Sequence, residues 1–74
     1  MNLDRITFDP QIMAGQACIR GMRITVSLVI NLVAAGMSVK EIIEEYPDLE
    51  EDDIRQALQY GSLLAREEYH IITK

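Results

Sequence analysis

From Ser27 to Ala35 the chain reads Ser-Leu-Val-Ile-Asn-Leu-Val-Ala-Ala, apolar on nearly every side of a helix. A helix without a wide polar face is buried, so this segment predicts a central helix around which the remainder packs. Its ends are marked. Thr25 or Ser27 supplies an N-terminal cap, and Gly36 stands where a left-handed residue closes a helix. Ser38-Val-Lys-Glu41 is a capping box that opens a second helix. In it Val39, Ile42, Ile43 and Tyr46 recur on one face. Pro47 ends it, because the residue before a proline is driven out of the helical region. A third helix is predicted to start between Asp48 and Glu51. Its opening acids Glu50, Glu51, Asp52 and Asp53 suit the positive end of the helix dipole. Ile54, Ala57, Leu58, Gly61, Leu64 and Ala65 form its apolar stripe. Gly61 costs about 1 kcal/mol against alanine in a helix interior, which points to a close approach or a bend there.

The N-terminal part reads differently. Arg5-Ile-Thr-Phe8 alternates and predicts a short strand, broken by Asp9-Pro10. Residues 11–17 read as a loop with Gly15 as its hinge. Arg23-Ile-Thr-Val26 suits a second strand pairing with the first. Two strands alone are marginal in water and need a helix beneath them or the same ribbon from a second subunit. The expected fold is therefore mainly α: three helices with a short N-terminal β-hairpin or ribbon. One domain, 1–74, divides into a β element and loop (1–26), a tri-helical unit (27–66) and a C-terminal tail (67–74). The second and third helices, joined through Pro47-Asp48-Leu49, have helix-turn-helix spacing. A core of this size contributes about 3–5 kcal/mol of net stability. With 49% hydrophobic residues, such a chain leaves apolar surface over for a homodimer or a protein partner.

The net charge of −5 hides a division. Residues 1–40 set Arg5, Arg20, Arg23 and Lys40 against Asp4 and Asp9, whereas the rest sets Arg55, Arg66 and Lys74 against ten acids. Affinity for a polyanion therefore belongs to the first half, and the second half repels it. No signal peptide is evident, and the longest apolar run, Leu28–Met37, is too short to span a bilayer. A cytoplasmic protein without membrane contact is expected. Cys18 is the only cysteine and reads as a buried structural residue; His70 stands alone near the C-terminus and reads as a surface residue. Metal-binding, phosphate-loop and nucleophile motifs are missing. The expectation is a non-enzyme without catalytic residues, metal or cofactor.

The pattern as a whole resembles a widespread prokaryotic family first catalogued as a domain of unknown function and described as the DNA-binding, VapB-like antitoxin class. The matching positions are Ile6, Asp9-Pro10, Gly15, Cys18-Ile19-Arg20-Gly21 and Arg23-Ile24. They continue through Leu32, Gly36-Met37-Ser38, Glu41-Ile42, Tyr46-Pro47-Asp48-Leu49, Asp53-Ile54 and Ala57-Leu58. That family commonly has Thr or Arg where this chain has Met22, and often Pro at Val26 or Val39. The resemblance implies a homeodomain-like helix-turn-helix and a partner gene encoding a PIN-like ribonuclease toxin. The implied function is that of an antitoxin in a type II pair, neutralising the toxin and repressing its own operon. The alternative is a protein-interaction or dimerisation module with no nucleic-acid role.

Three readings stay open for Arg20 and Arg23: phosphate contacts on operator DNA, contacts to carboxylates of a toxin's metal site, or structural pairing with Asp4, Asp9 or Glu41. The third helix is the recognition helix by topology, with Arg55, Gln56 and Gln59 as its candidate contacts. Its opening acids read as a solvated helix start that opposes a phosphate backbone. DNA is then held elsewhere, as by Arg5 on paired N-terminal ribbons, or through charges of the toxin, or not at all. The tail residues Leu63, Leu64, Tyr69, Ile71 and Ile72 are the candidate partner-binding edge; packing on their own core or on a second copy is the other reading.

Overall fold

The computed structural model describes the backbone of residues 2–72 and the side chains of residues 2–66. Three helices follow a two-stranded antiparallel sheet: β1 (Ile6–Phe8), β2 (Ala17–Ile19), α1 (Val26–Ala34), α2 (Val39–Glu45) and α3 (Glu51–Ile72). The mainly helical expectation is met, and each helix starts within a few residues of its sequence signal.

The caps account for that agreement. Thr25 is the N-cap of α1, where its Oγ1 accepts from the Leu28 amide at 3.0 Å. Gly36 follows with φ +97°, a left-handed conformation that glycine adopts without a Cβ penalty. At α2 both halves of the capping box form. Ser38 Oγ accepts from the Glu41 amide at 3.1 Å, and Glu41 Oε1 accepts from the Ser38 amide at 2.8 Å.

The sheet corrects the sequence reading. The partner of β1 is not Arg23–Val26 but Ala17–Ile19, in the register Ile6 with Ile19, Thr7 with Cys18 and Phe8 with Ala17. Residues 11–17 are not all loop. A left-handed turn at Met13–Gly15, with φ of 51°, 58° and 83°, brings the chain back into β2. The segment expected as the second strand survives as one bridge between Cys18 and Thr25 and a hydrogen bond from the Ile19 amide to the Ile24 carbonyl. Thr25 already caps α1, so the chain turns helical at Val26 before a second ladder can grow.

The core is formed by Ile19, Val26, Val29, Ile42, Leu49, Ile54 and Ala57, drawn from β2, all three helices and the turn before α3. Of the nearly all-apolar helix, only Val26 and Val29 are fully buried. Leu28, Ile30, Leu32 and Val33 are half-buried, while Ala34 and Ala35 are exposed. The expected centrality of α1 therefore holds for one face, and the rest lacks cover within the single chain. The α3 stripe likewise buries Ile54 and Ala57 but leaves Leu58, Leu64 and Ala65 exposed. Gly61 marks the close approach expected of it: a Cβ there would lie 2.6 Å from Ile30 Cδ1, so α3 rides directly on α1. No helix among the described residues is long and apolar enough to cross a membrane.

Candidate functional site

Arg20 and Gly21 form the tight connection after β2, both with positive φ (46° and 72°). Left-handed backbone at an arginine is strained by about 1–2 kcal/mol and persists where the surroundings impose it. Here the guanidinium is anchored across the molecule. Arg20 Nε donates to Asp53 Oδ1 at 3.0 Å, and Nη2 donates to Asp53 Oδ2 at 2.9 Å and to the Asp48 carbonyl at 2.7 Å. This is the two-pronged arginine–carboxylate fit. Arg5 arrives from the N-terminal side, its Nη1 donating to Asp53 Oδ1 at 2.9 Å and Glu50 Oε1 at 2.7 Å. The Glu50 amide completes the set, donating to Asp53 Oδ2 at 2.8 Å. Asp53 is thus the third residue of α3 reaching back to the residue before the helix, while both arginines fasten the sheet to the helix start.

The electrostatics follow from that geometry. Burial alone would push the Asp53 carboxyl up, since its side chain has no exposed surface. Hydrogen bonds from Arg20, Arg5 and the Glu50 amide outweigh it and hold the group below its ordinary 3.8. Arg5 is raised, first by its hydrogen bond to Glu50 and then by that to Asp53, and Arg20 is raised by its hydrogen bond to Asp53.

Two sequence expectations are corrected here. Asp53 is not part of a solvated helix start but a fully buried ion-pair centre. The structural partner of Arg20 is Asp53 rather than Asp4, Asp9 or Glu41. Gln56 is also drawn inward: its Oε1 accepts from the Arg5 amide at 2.9 Å, and its Nε2 donates to Asp4 Oδ1 at 2.9 Å. Arg5 commits Nη1, Arg20 commits Nε and Nη2, and Gln56 commits its side-chain amide to partners within the protein, while the Arg5 and Arg20 side chains stay 26% and 37% exposed. Arg23 is exposed, Arg55 is exposed and paired with Asp52 at 3.0 Å, and Gln59 is half-buried. Arg55 shares Asp52 with Arg5, whose Nη2 lies 3.9 Å from Asp52 Oδ2, whereas among the described residues no hydrogen bond or ion pair joins Arg23 or the Gln59 side chain to the others.

The expected partner edge begins within the described side chains. Leu64 is 48% exposed and Leu63 half-buried. Leu64 borders a groove of about 240 Å³ lined by Gln16, Ala17, Val26, Ser27, Ile30 and Tyr60, none of them charged. Phe8, 59% exposed, stands edge-on to Tyr60 at 6.1 Å. Tyr69, Ile71 and Ile72 continue the α3 backbone, but their side chains lie outside those described, as does that of His70. Cys18 is buried, as expected. Among the described residues no group of three or more His, Cys, Asp or Glu side chains is placed to hold a metal ion.

These elements match a family pattern that spans them: residues 6–61 fit the model of a protein of unknown function, DUF433. The chain belongs to the DUF433 family. Both Arg20 and Asp53 fall inside the matched stretch, whereas Arg5 precedes it and Leu63 and Leu64 follow it. The uncharacterised protein y4eO of Sinorhizobium fredii is 40% identical over 56 residues, covering 76% of this chain and 25% of that protein. The chain therefore spans about a quarter of that relative. A crystal structure of a DUF433 member from Anabaena variabilis superposes with a TM-score of 0.78 at 28% identity, covering 96% of this chain and 70% of that one.

Proposed function

We propose that this DUF433 chain is the antitoxin of a type II toxin–antitoxin pair, a cytoplasmic, non-enzymatic protein that binds and silences a PIN-like ribonuclease. As a homodimer it represses its own operon, with α2 and α3 serving as a homeodomain-like helix-turn-helix. Protein binding rests on one observation: the uncharged apolar surface left uncovered where α1 meets the distal half of α3. Ile30, Tyr60 and Leu64 edge a groove with no charged residue among the described lining, Phe8 stands against Tyr60 beside it, and apolar residues return after Arg66-Glu67-Glu68 at Tyr69, Ile71 and Ile72. An amphipathic helix presenting such an edge is a common mode of recognition between proteins. The likeness of the Arg5-to-Ala65 pattern to VapB-like antitoxins supports the choice of partner.

Deleting residues 63–74 is expected to abolish co-purification with the ribonuclease while leaving the circular dichroism of the remaining domain helical. Full retention of the complex would remove the distal α3 from the interface.

A second reading, an interaction module without a nucleic-acid role, is favoured by the inward commitment of Arg5, Arg20 and Gln56. In the operator-binding reading, Arg23 and Arg55, both exposed, carry phosphate contacts without first giving up the Asp53 pairing. Reversal at Arg23 (Arg23→Glu) is then expected to weaken operator binding and to lower the slope of affinity against salt by about one phosphate contact. An unchanged slope takes Arg23 out of a DNA interface, and no shift of duplex by the parent chain at low salt selects the interaction module. Reversal at Arg20 is uninformative about DNA, because it disrupts the Asp53 pairing.

A further inference from the structure

A second groove, open and about 530 Å³, lies between α2 and the start of α3, lined by Val39, Lys40, Ile43, Glu44 and Glu51. Its floor is apolar. Val39 belongs to the face of α2 that also carries Ile42 and Ile43, yet it is 37% exposed, and Ile43 is only half-buried. Its rim is acidic in a particular way. Glu41 is bonded to the Ser38 amide, Glu50 to Arg5, Asp52 to Arg55, and Asp53 to both Arg5 and Arg20. Among the described residues, neither Glu44 nor Glu51 has a cation within salt-bridge distance, and Lys40 is the only cation of the lining. Glu45 and Asp48 lack a cation as well, but of these four acids only Glu44 and Glu51 line the groove, beside exposed Val39 and half-buried Ile43.

We infer that this groove docks a cationic amphipathic helix of a partner polypeptide. Its apolar side chains would cover Val39 and Ile43, and its Lys or Arg residues would meet Glu44 and Glu51. The charge discriminates against the other occupants. Nucleic acid and anionic lipid carry the same sign as the rim. A second copy docked through the same groove brings one lysine and two glutamates against the same set, so each face meets another of the same net negative sign. A helix with leucines at i, i+3, i+4 and i+7 and basic residues flanking them satisfies both the floor and the rim. The inference is independent of the ribonuclease reading, since it concerns a different groove and a partner defined by chemistry alone, and it competes with operator binding, which would use the same start of α3.

The test is an NMR titration of the isotope-labelled chain with an amphipathic Leu/Lys peptide of about four helical turns, alongside its Leu/Glu counterpart. The Leu/Lys peptide is expected to shift amides centred on Val39, Ile43, Glu44 and Glu51, with a dissociation constant that rises with salt. Glu44→Gln with Glu51→Gln is expected to weaken binding about tenfold, and Val39→Asn to weaken it also, both with unchanged helicity because all three side chains are exposed. The Leu/Glu peptide should leave these amides in place. Shifts centred instead on Ile30, Tyr60 and Leu64, unaltered binding by the double variant, equal binding of the Leu/Glu peptide, or no shift at about 1 mM peptide each overturn the inference.

Discussion

Asp53→Ala is expected to leave the chain largely unfolded at 25 °C. Removing one partner of a buried, hydrogen-bonded ion pair costs about 3–5 kcal/mol, comparable to the whole stability that a core this small supplies. The lower end applies, because the Arg5 and Arg20 side chains are 26% and 37% exposed and can rehydrate. Urea titration followed by circular dichroism measures the loss, and a midpoint within error of the parent would refute the structural role of Asp53. The pH dependence gives the same test a sign. Asp53 is lowered in the folded chain, so its contribution is present above 3.8 and is lost as pH falls below that value through the lowered folded one. Removing Arg5 and Arg20 together reverses the trend. Burial is then opposed only by the Glu50 amide and raises the carboxyl, so that variant is expected to gain stability as pH falls through its raised value, whereas the parent loses stability only below 3.8.

Ile42→Ala is the second large effect. α2 spans Val39–Glu45 and has Ile42 as its one fully buried side chain. Truncating a buried isoleucine to alanine costs about 2–5 kcal/mol, and a helix this short has little intrinsic stability of its own. The expected result is a lower thermal midpoint, with amide exchange accelerated first in α2. Equal protection of α1, α2 and α3 in the variant would show that α2 is held by more than this anchor.

The helices were legible because local chemistry sets their ends: Thr25, Gly36, Ser38 with Glu41, and Pro47 act over one turn. β2 was not, because Arg23-Ile-Thr-Val26 has the stronger strand pattern and the contact that decides against it is made by Thr25, which bridges Cys18 and caps α1 at once. The Asp53 centre was missed for a related reason. Four acids at a helix start already have a local explanation in the dipole, whereas the partners of Asp53 lie 48 and 33 residues away. One signal was available. Asp53 stands three residues after Glu50, the spacing at which a carboxylate reaches back to a helix's first amide, and the half of the chain before it holds the arginines needed to bury that charge. The apolar surplus of α1 was visible in the sequence, but which of its sides stays uncovered depends on how α3 crosses it at Gly61 and Ile30.

The central claim is that this chain works by binding another protein. The direct test co-expresses it with the product of the neighbouring reading frame, tags only that product, and follows both co-purification and RNA cleavage. A complex of fixed ratio in which cleavage is silent, and returns when the chain is removed, is the result predicted. An active ribonuclease that leaves this chain behind in the flow-through would contradict it.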